Sequence, residues 1–172
     1  QVRLTADRPI QGIRLHTGAD LLGRYGLQSI DTTTNYSLAG AVTSTQTSVS
    51  IESARRTGIG LFLQADGAVA ARVRLSAGLR GDAVWNTNTG GYFGDRSVSN
   101  GAVAGLLAAP WIPVDLLSIT AQVSRGFRDP TLSDRFYRGP VGRGFVEGNP
   151  DLQPETSLQF DLTARSTAGR LR

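Results

Sequence analysis

The chain has 172 residues; all 18 basic residues are Arg, set against 14 acids and a single His, for a net charge of +4. With no Cys it has no disulfide framework, no thiolate metal site and no thiol nucleophile. Its Arg residues are spread along the chain, and the densest group (Arg125, Arg128, Arg135, Arg138 and Arg143) is diluted by Asp129 and Asp134, which argues against a nucleic-acid face.

No apolar run approaches the roughly 20 residues of a membrane helix. The longest such stretch, 102–114, is interrupted by Pro110 and Pro113. Helical periodicity is weak, whereas two-residue alternation recurs. Val2, Leu4 and Ala6 against Arg3, Thr5 and Asp7 read as the end of a first strand. Ile13, Leu15, Thr17, Ala19 and Leu21 oppose Arg14, His16, Gly18, Asp20 and Leu22. Residues 57–66 form a third candidate. In 72–83, Val73, Leu75, Ala77 and Leu79 face one way and Arg72, Arg74, Ser76, Arg80 and Asp82 the other. Residues 98–109, 117–124 and 157–165 complete seven strands, with Leu171 and Arg172 entering an eighth.

The connections alternate: short at 8–12, long at 24–54, short at 67–71, long at 85–97, short at 110–115, long at 128–156 and short at 167–170. Every second turn therefore lies on the same side of the sheet. Strands of about ten residues with short turns at one end and long loops at the other are the pattern of an outer-membrane barrel. Tyr25, Trp85 and Phe127 fall at long-loop ends and Trp111 at a short-turn end, where interfacial aromatic girdles belong. The pattern alone also admits a soluble β-sandwich or adhesin-like binding module, or a small complete structural barrel of eight strands.

At Ser124 the sequence becomes more specific. Ser124-Arg125-Gly126-Phe127-Arg128-Asp129-Pro130-Thr131-Leu132 is followed by Gly148-Asn149-Pro150-Asp151-Leu152-Gln153-Pro154-Glu155. This pair resembles the C-terminal signature of TonB-dependent outer-membrane receptors, and residues 60–66, 75–82 and 16–20 resemble other barrel segments of that family. The resemblance implies an antiparallel barrel of about 22 strands around a plug, of which this chain would be about a third. It implies that residues 1–172 are a partial receptor barrel domain without the plug, so the TonB complex would be met only through that missing plug. The opening Gln1-Val2-Arg3, the lack of Met and the ending Leu171-Arg172 in place of an aromatic terminus agree with a fragment. The signature residues Phe127, Arg128, Pro130, Asn149, Pro150, Leu152, Pro154 and Glu155 are expected to be architectural. Asn149-Pro150 forces extended or turn geometry, Pro154 starts a returning strand, and Glu155 is placed to pair with an Arg of the rim.

Candidate chemistry is sparse. His16 has no second His or Cys with which to hold a metal, and an inward-facing lumen role suits it better. Asp134 and Glu147 lie in a long loop with nothing to fix an acid–base separation. Gly139-Pro140-Val141-Gly142-Arg143-Gly144 lacks the strand-then-helix frame of a phosphate cradle and reads as a mobile loop. No catalytic residue, metal site or cofactor is expected. In the resembled family substrates dock on the external side, which here implicates Tyr92, Phe93, Arg96, Phe136, Tyr137, Arg138 and Arg143. Aromatic rings with Arg suit an anionic or aromatic iron chelate. The expected function is thus energised uptake of a ferric siderophore, cobalamin or glycan in a bacterial outer membrane, with lipid and lipopolysaccharide as the surroundings.

Overall fold

In the computed structural model, which describes residues 1–142 and 144–166, the two-residue alternation becomes a continuous hydrogen-bonded ladder. Strands β1 (Val2–Ile10), β2 (Ile13–Tyr36), β3 (Val42–Ala70), β4 (Val73–Asn88), β5 (Arg96–Val114) and β6 (Leu117–Arg128) follow one another as antiparallel neighbours. Then come a short helix α1 (Leu132–Phe136), a small hairpin of β7 (Arg138–Val141) and β8 (Gly144–Glu147), and β9 (Glu155–Ser166), which pairs with β6. Arg143, the turn expected at 167–170 and the eighth strand expected from Leu171 lie outside the described residues.

Register puts every apolar row on one face. Leu63 stands opposite Thr17 and Leu79, Leu61 opposite Ala19 and Gly81, Leu107 opposite Ala77 and Val123, and Val123 opposite Phe160. A one-residue slip would turn each row to the other side, so this face fixes the pairing. It is also bare: Leu79 is 63% and Leu162 78% exposed. Among the described residues no second sheet covers it, so the β-sandwich alternative is not met. Among the described residues the sheet is open, with β1 and β9 as its edges. A lipid-facing barrel wall accounts for such a surface, and Trp111 at the short-turn end and Tyr25 and Trp85 at the other bracket it.

The opposite face is polar. Asp20 is buried between Arg3, at 2.5 Å, and Arg80, at 2.6 Å; Arg80 also grips Asp82 at 2.6 Å. Gly60 leaves the space that the Arg80 and Asp82 side chains occupy, which a Cβ there would fill. His16 lies on this polar face with Nδ1 2.7 Å from Asp7.

The two ends differ as expected, but the long loops are more ordered than the sequence implied. The short turns have two residues each; Gln11 and Gly12, with φ of 47° and 83°, make the first a tight left-handed hairpin turn. Residues 24–54, expected to be a loop, are largely strand: β2 and β3 run on as a two-stranded arm whose turn is only residues 37–41. Its Thr, Ser and Asn residues, several of which link across the arm (Thr32 to Thr47, Asn35 to Ser44), carry β-propensity without an apolar face. Where the arm leaves the wall the register shifts between Arg24 and Ile30, with Gly26 and Ser53 at positive φ. Such bulges bend the strand and re-aim its side chains.

Substituting Leu79 by Arg, near the middle of the apolar band, should destabilise the full-length protein in lipid by about 2–4 kcal/mol, whereas Gln64→Arg on the polar face should cost far less. Urea titration of the protein folded into phosphatidylcholine vesicles reads the difference; equal costs would contradict the face assignment.

Candidate functional site

The bulges at Gly26 and Ser53 have a structural consequence: they turn Ile51 and Ala54 inward, and α1 packs on them. Ile51, Ala54, Leu132 and Phe136 form the buried apolar cluster among the described residues, with Leu27, Phe93 and Tyr137 against it. This cluster lies above the wall, not within it. The helix has one turn and a fraction, too short to persist alone. It is held by a reciprocal cap: the Asp134 backbone N–H donates to Thr131 Oγ1 at 3.1 Å, and the Thr131 N–H donates to the Asp134 carboxylate at 2.8 Å. That bond from Thr131 is the main reason the Asp134 carboxyl is held below the usual range, with Arg128 and Arg135 adding to it.

Beneath the helix lies the charged anchor. Asp129 is buried at the wall's outer end, 2.8 Å from Arg56 of β3 and 3.4 Å from Arg135 of α1. Asn100 donates to it at 2.7 Å and Asn86 at 3.4 Å. Both arginines also hold backbone: Arg56 donates to the Pro130 carbonyl at 2.8 Å, and the fully buried Arg135 to the carbonyls of Pro150 and Leu152 at 2.7 Å each. The two signature segments are thus tied together, and to β3, β4 and β5, through one carboxylate. A charge buried in this way requires all its partners.

The other signature residues make local contacts within these segments. The Asn149 side-chain oxygen accepts the Asp151 N–H at 2.9 Å, and the Asn149 backbone N–H donates to the Asp134 carbonyl at 3.0 Å. Glu155 opens β9 opposite Arg128, with the charges 3.6 Å apart. Pro154 precedes β9, where its missing N–H interrupts no ladder. Phe127 lies at the outer end of β6, but in the seam beside Val84, Asn100 and Ala102, not out in the girdle.

Five of the seven candidate contact residues are brought together here. Tyr92 meets Phe93 edge-on at 4.9 Å, and the Arg138 guanidinium lies 4.1 Å from the Tyr92 ring. Phe136 is wholly buried and gives its ring to the cluster beneath the site; Phe93 and Tyr137 pack on that cluster. Arg96 opens β5 opposite Asn88, apart from this group, and Arg143 is outside the described residues. The glycine-rich stretch read as a mobile loop is the β7–β8 hairpin, which sets Phe145 opposite Pro140 and 4.9 Å from Arg138. Arg138 therefore lies between two rings, with Glu147 at 3.2 Å. Phe145, Asp31 and the Asp129 anchor were not anticipated from sequence. Burial, then the Asp31 charge, raises the Tyr137 hydroxyl above its ordinary range, so it remains a donor, here to the Pro140 carbonyl at 2.8 Å. Asp134 and Glu147 are thus occupied as a helix cap and an arginine partner.

Asp129→Ala leaves Arg56 and Arg135 unpaired at a buried site and should cost about 3–5 kcal/mol locally. Limited proteolysis of the full-length protein should then cut near Asp129 and Pro150 faster than in the wild type. Because the folded-state pKa of Asp134 is depressed, its stabilisation of α1 is complete above the ordinary carboxylate range and is lost as pH falls through the lowered value. Amide exchange of α1 should accelerate in that acid window, and Asp134→Asn should abolish the dependence.

The fold and signature have close parallels. The profile of the TonB-dependent receptor-like β-barrel family matches residues 4–172. Iron-regulated outer membrane virulence proteins from two Vibrio cholerae strains are 34% and 33% identical over 110 residues, 63% of this chain. The chain spans only 15% of the length of those relatives. Among solved structures, the copper transporter OprC superposes with a TM-score of 0.71 at 20% identity, covering 96% of this chain and 27% of OprC. The siderophore receptor PiuA from Acinetobacter baumannii gives 0.59 at 12% identity over 94% of this chain and 28% of that receptor. With the dyad wall, the sorted turns and the paired signature all in place, the chain belongs to the outer-membrane TonB-dependent receptor family, as part of its β-barrel.

Proposed function

We propose that residues 1–172 form part of the barrel domain of a receptor that takes up a ferric siderophore, with Tyr92, Arg138 and Phe145 contributing to its external contact surface. The observation that carries this reading is the Arg138 guanidinium held between two aromatic rings on the external side. A cation in that setting presents charge beside flat apolar faces, which suits an anionic chelate bearing aromatic or conjugated groups. Asp31 adds a buried Oδ2 with no hydrogen-bond donor among the described residues, an acceptor beside Tyr137 for a ligand N–H or O–H. The iron-regulated relatives favour iron over cobalamin or a glycan.

In this reading the anchored loops bind and orient, and no bond of the ligand is broken. The energy of transport reaches the wall from the TonB complex through a plug that lies outside this sequence, while lipid and lipopolysaccharide surround the barrel. Arg96, at the start of β5, adds a positive charge at the same outer end of the wall.

Arg138→Ala in the full-length receptor should weaken binding of a radio-iron-labelled ferric catecholate about tenfold or more, equivalent to ~1.4 kcal/mol, with Arg138→Lys intermediate. Filter binding to outer-membrane vesicles measures this. Unchanged affinity for both ferric catecholate and ferric hydroxamate probes would remove the site from this role.

A further inference from the structure

Glu147 stands at the base of the β7–β8 hairpin, directly opposite Arg138. Side chains alternate along a strand, so Arg138, Pro140, Phe145 and Glu147 share one face of this hairpin. Arg138 donates through Nε to the Glu147 carboxylate at 3.2 Å, while its guanidinium lies 4.1 Å from the Tyr92 ring and 4.9 Å from the Phe145 ring. Among the described residues that is its one hydrogen bond, and neither Nη nitrogen has a partner. An arginine carries five N–H donors, so four are left on the two Nη nitrogens.

The backbone that carries Glu147 is held in place. The next residue, Gly148, donates its N–H to the Tyr137 carbonyl at 2.7 Å. It also approaches α1 so closely that a Cβ there would lie 2.8 Å from the Arg135 carbonyl carbon. Arg138 has a long side chain with much rotamer freedom to lose. Two rings stacked on a guanidinium fix its plane but let it slide and turn within that plane. A carboxylate on Nε removes this freedom and leaves both Nη nitrogens open to a ligand. The same carboxylate has an opposing electrostatic effect, because the charges of Arg138 and Glu147 cancel. An approaching anion then feels little net attraction, whereas a neutral ligand is unaffected. With side chains 38% and 52% exposed, the pair acts through a field that salt screens.

We propose that Glu147 is the positioning and charge-selectivity residue of the external contact surface. It aims the Arg138 fork by holding Nε, and its charge limits the advantage that an anionic chelate would otherwise have over a neutral one. Selectivity then comes from the direction of the free donors and the two ring faces more than from charge. This inference rests on the reading of Arg138 as a ligand contact.

Filter binding of a radio-iron-labelled ferric catecholate and of a neutral ferric hydroxamate tests it, with the full-length protein in outer-membrane vesicles at about 10 mM and about 1 M salt. Glu147→Gln keeps an acceptor oxygen but not the charge. At the lower salt it should bind the catecholate about threefold more tightly than wild type and the hydroxamate equally. At the higher salt that gain should vanish. There Glu147→Ala, which frees the guanidinium, should bind the catecholate about threefold more weakly than Glu147→Gln. In an Arg138→Ala background the Gln and Ala variants should bind alike at high salt, which separates a lost hold on Arg138 from general damage to the hairpin. Equal catecholate binding by wild type and Glu147→Gln at low salt would overturn the proposal, as would equal binding by the Gln and Ala variants at high salt. Either result beside a clear loss in Arg138→Ala sinks this inference alone. If Arg138→Ala itself leaves the affinity for both chelates unchanged, the reading of Arg138 as a ligand contact fails and takes this inference with it.

Discussion

Inside hydrocarbon no water is available to satisfy a peptide group, and every other feature of this chain follows from that constraint. It demands an unbroken ladder, so consecutive strands pair as neighbours, and the prolines of the wall strands, Pro9, Pro110 and Pro113, stand near the short-turn ends. The ladder in turn gives each strand two faces of opposite duty. One must match the acyl chains, so Leu, Ile, Val and Ala are left bare. The other faces a wet interior, where Asp20 can lie buried between Arg3 and Arg80 because both cations and the surrounding polar row compensate it. A soluble domain hides its apolar residues from solvent; this wall hides its peptide groups and leaves the apolar residues outside.

Above the bilayer the logic reverses. There water satisfies the backbone, and the loops need a reason to hold one shape. A small apolar cluster around Phe136 supplies part of it, and the Asp129 carboxylate supplies the rest. The anchor is economical because its partners come from four elements: Arg56 from β3, Asn86 from β4, Asn100 from β5 and Arg135 from α1. Through Arg135 it also reaches the carbonyls just before β9. The signature segments therefore act as a clasp that fixes loop to wall, and the aromatic and cationic surface around Arg138 is built on that clasp.

How much of this could be read from sequence depends on the range of the forces involved. Alternation is local, so the seven wall strands, the apolar and polar rows and the sorted turns were all evident. The paired signature was evident from its resemblance to the family's, and its prolines fix local geometry. The arm of β2 and β3 was not, since Thr, Ser and Asn on both faces carry no dyad contrast although they pair well. Helix α1 had a local signal, the three-residue spacing of Thr131 and Asp134, but it is too short to show periodicity. Asp129 gave no signal for its role, because Arg56 and Asn86 are 73 and 43 positions away along the chain. Phe145 was missed for a related reason: what brings it to Arg138 is the hairpin register, and the glycines on either side suggested mobility instead.

The β2–β3 arm carries a different implication. Beyond its bulges it projects about 20 Å, on the rise of an extended strand, and water meets both of its faces. Its shape is stored in main-chain bonds that do not depend on which side chains are present, so residue identity there is nearly free to drift under selection. The arm is also the part of the described chain that reaches farthest from the wall. A receptor built this way can change its outward appearance quickly while the wall and the clasp beneath it stay the same.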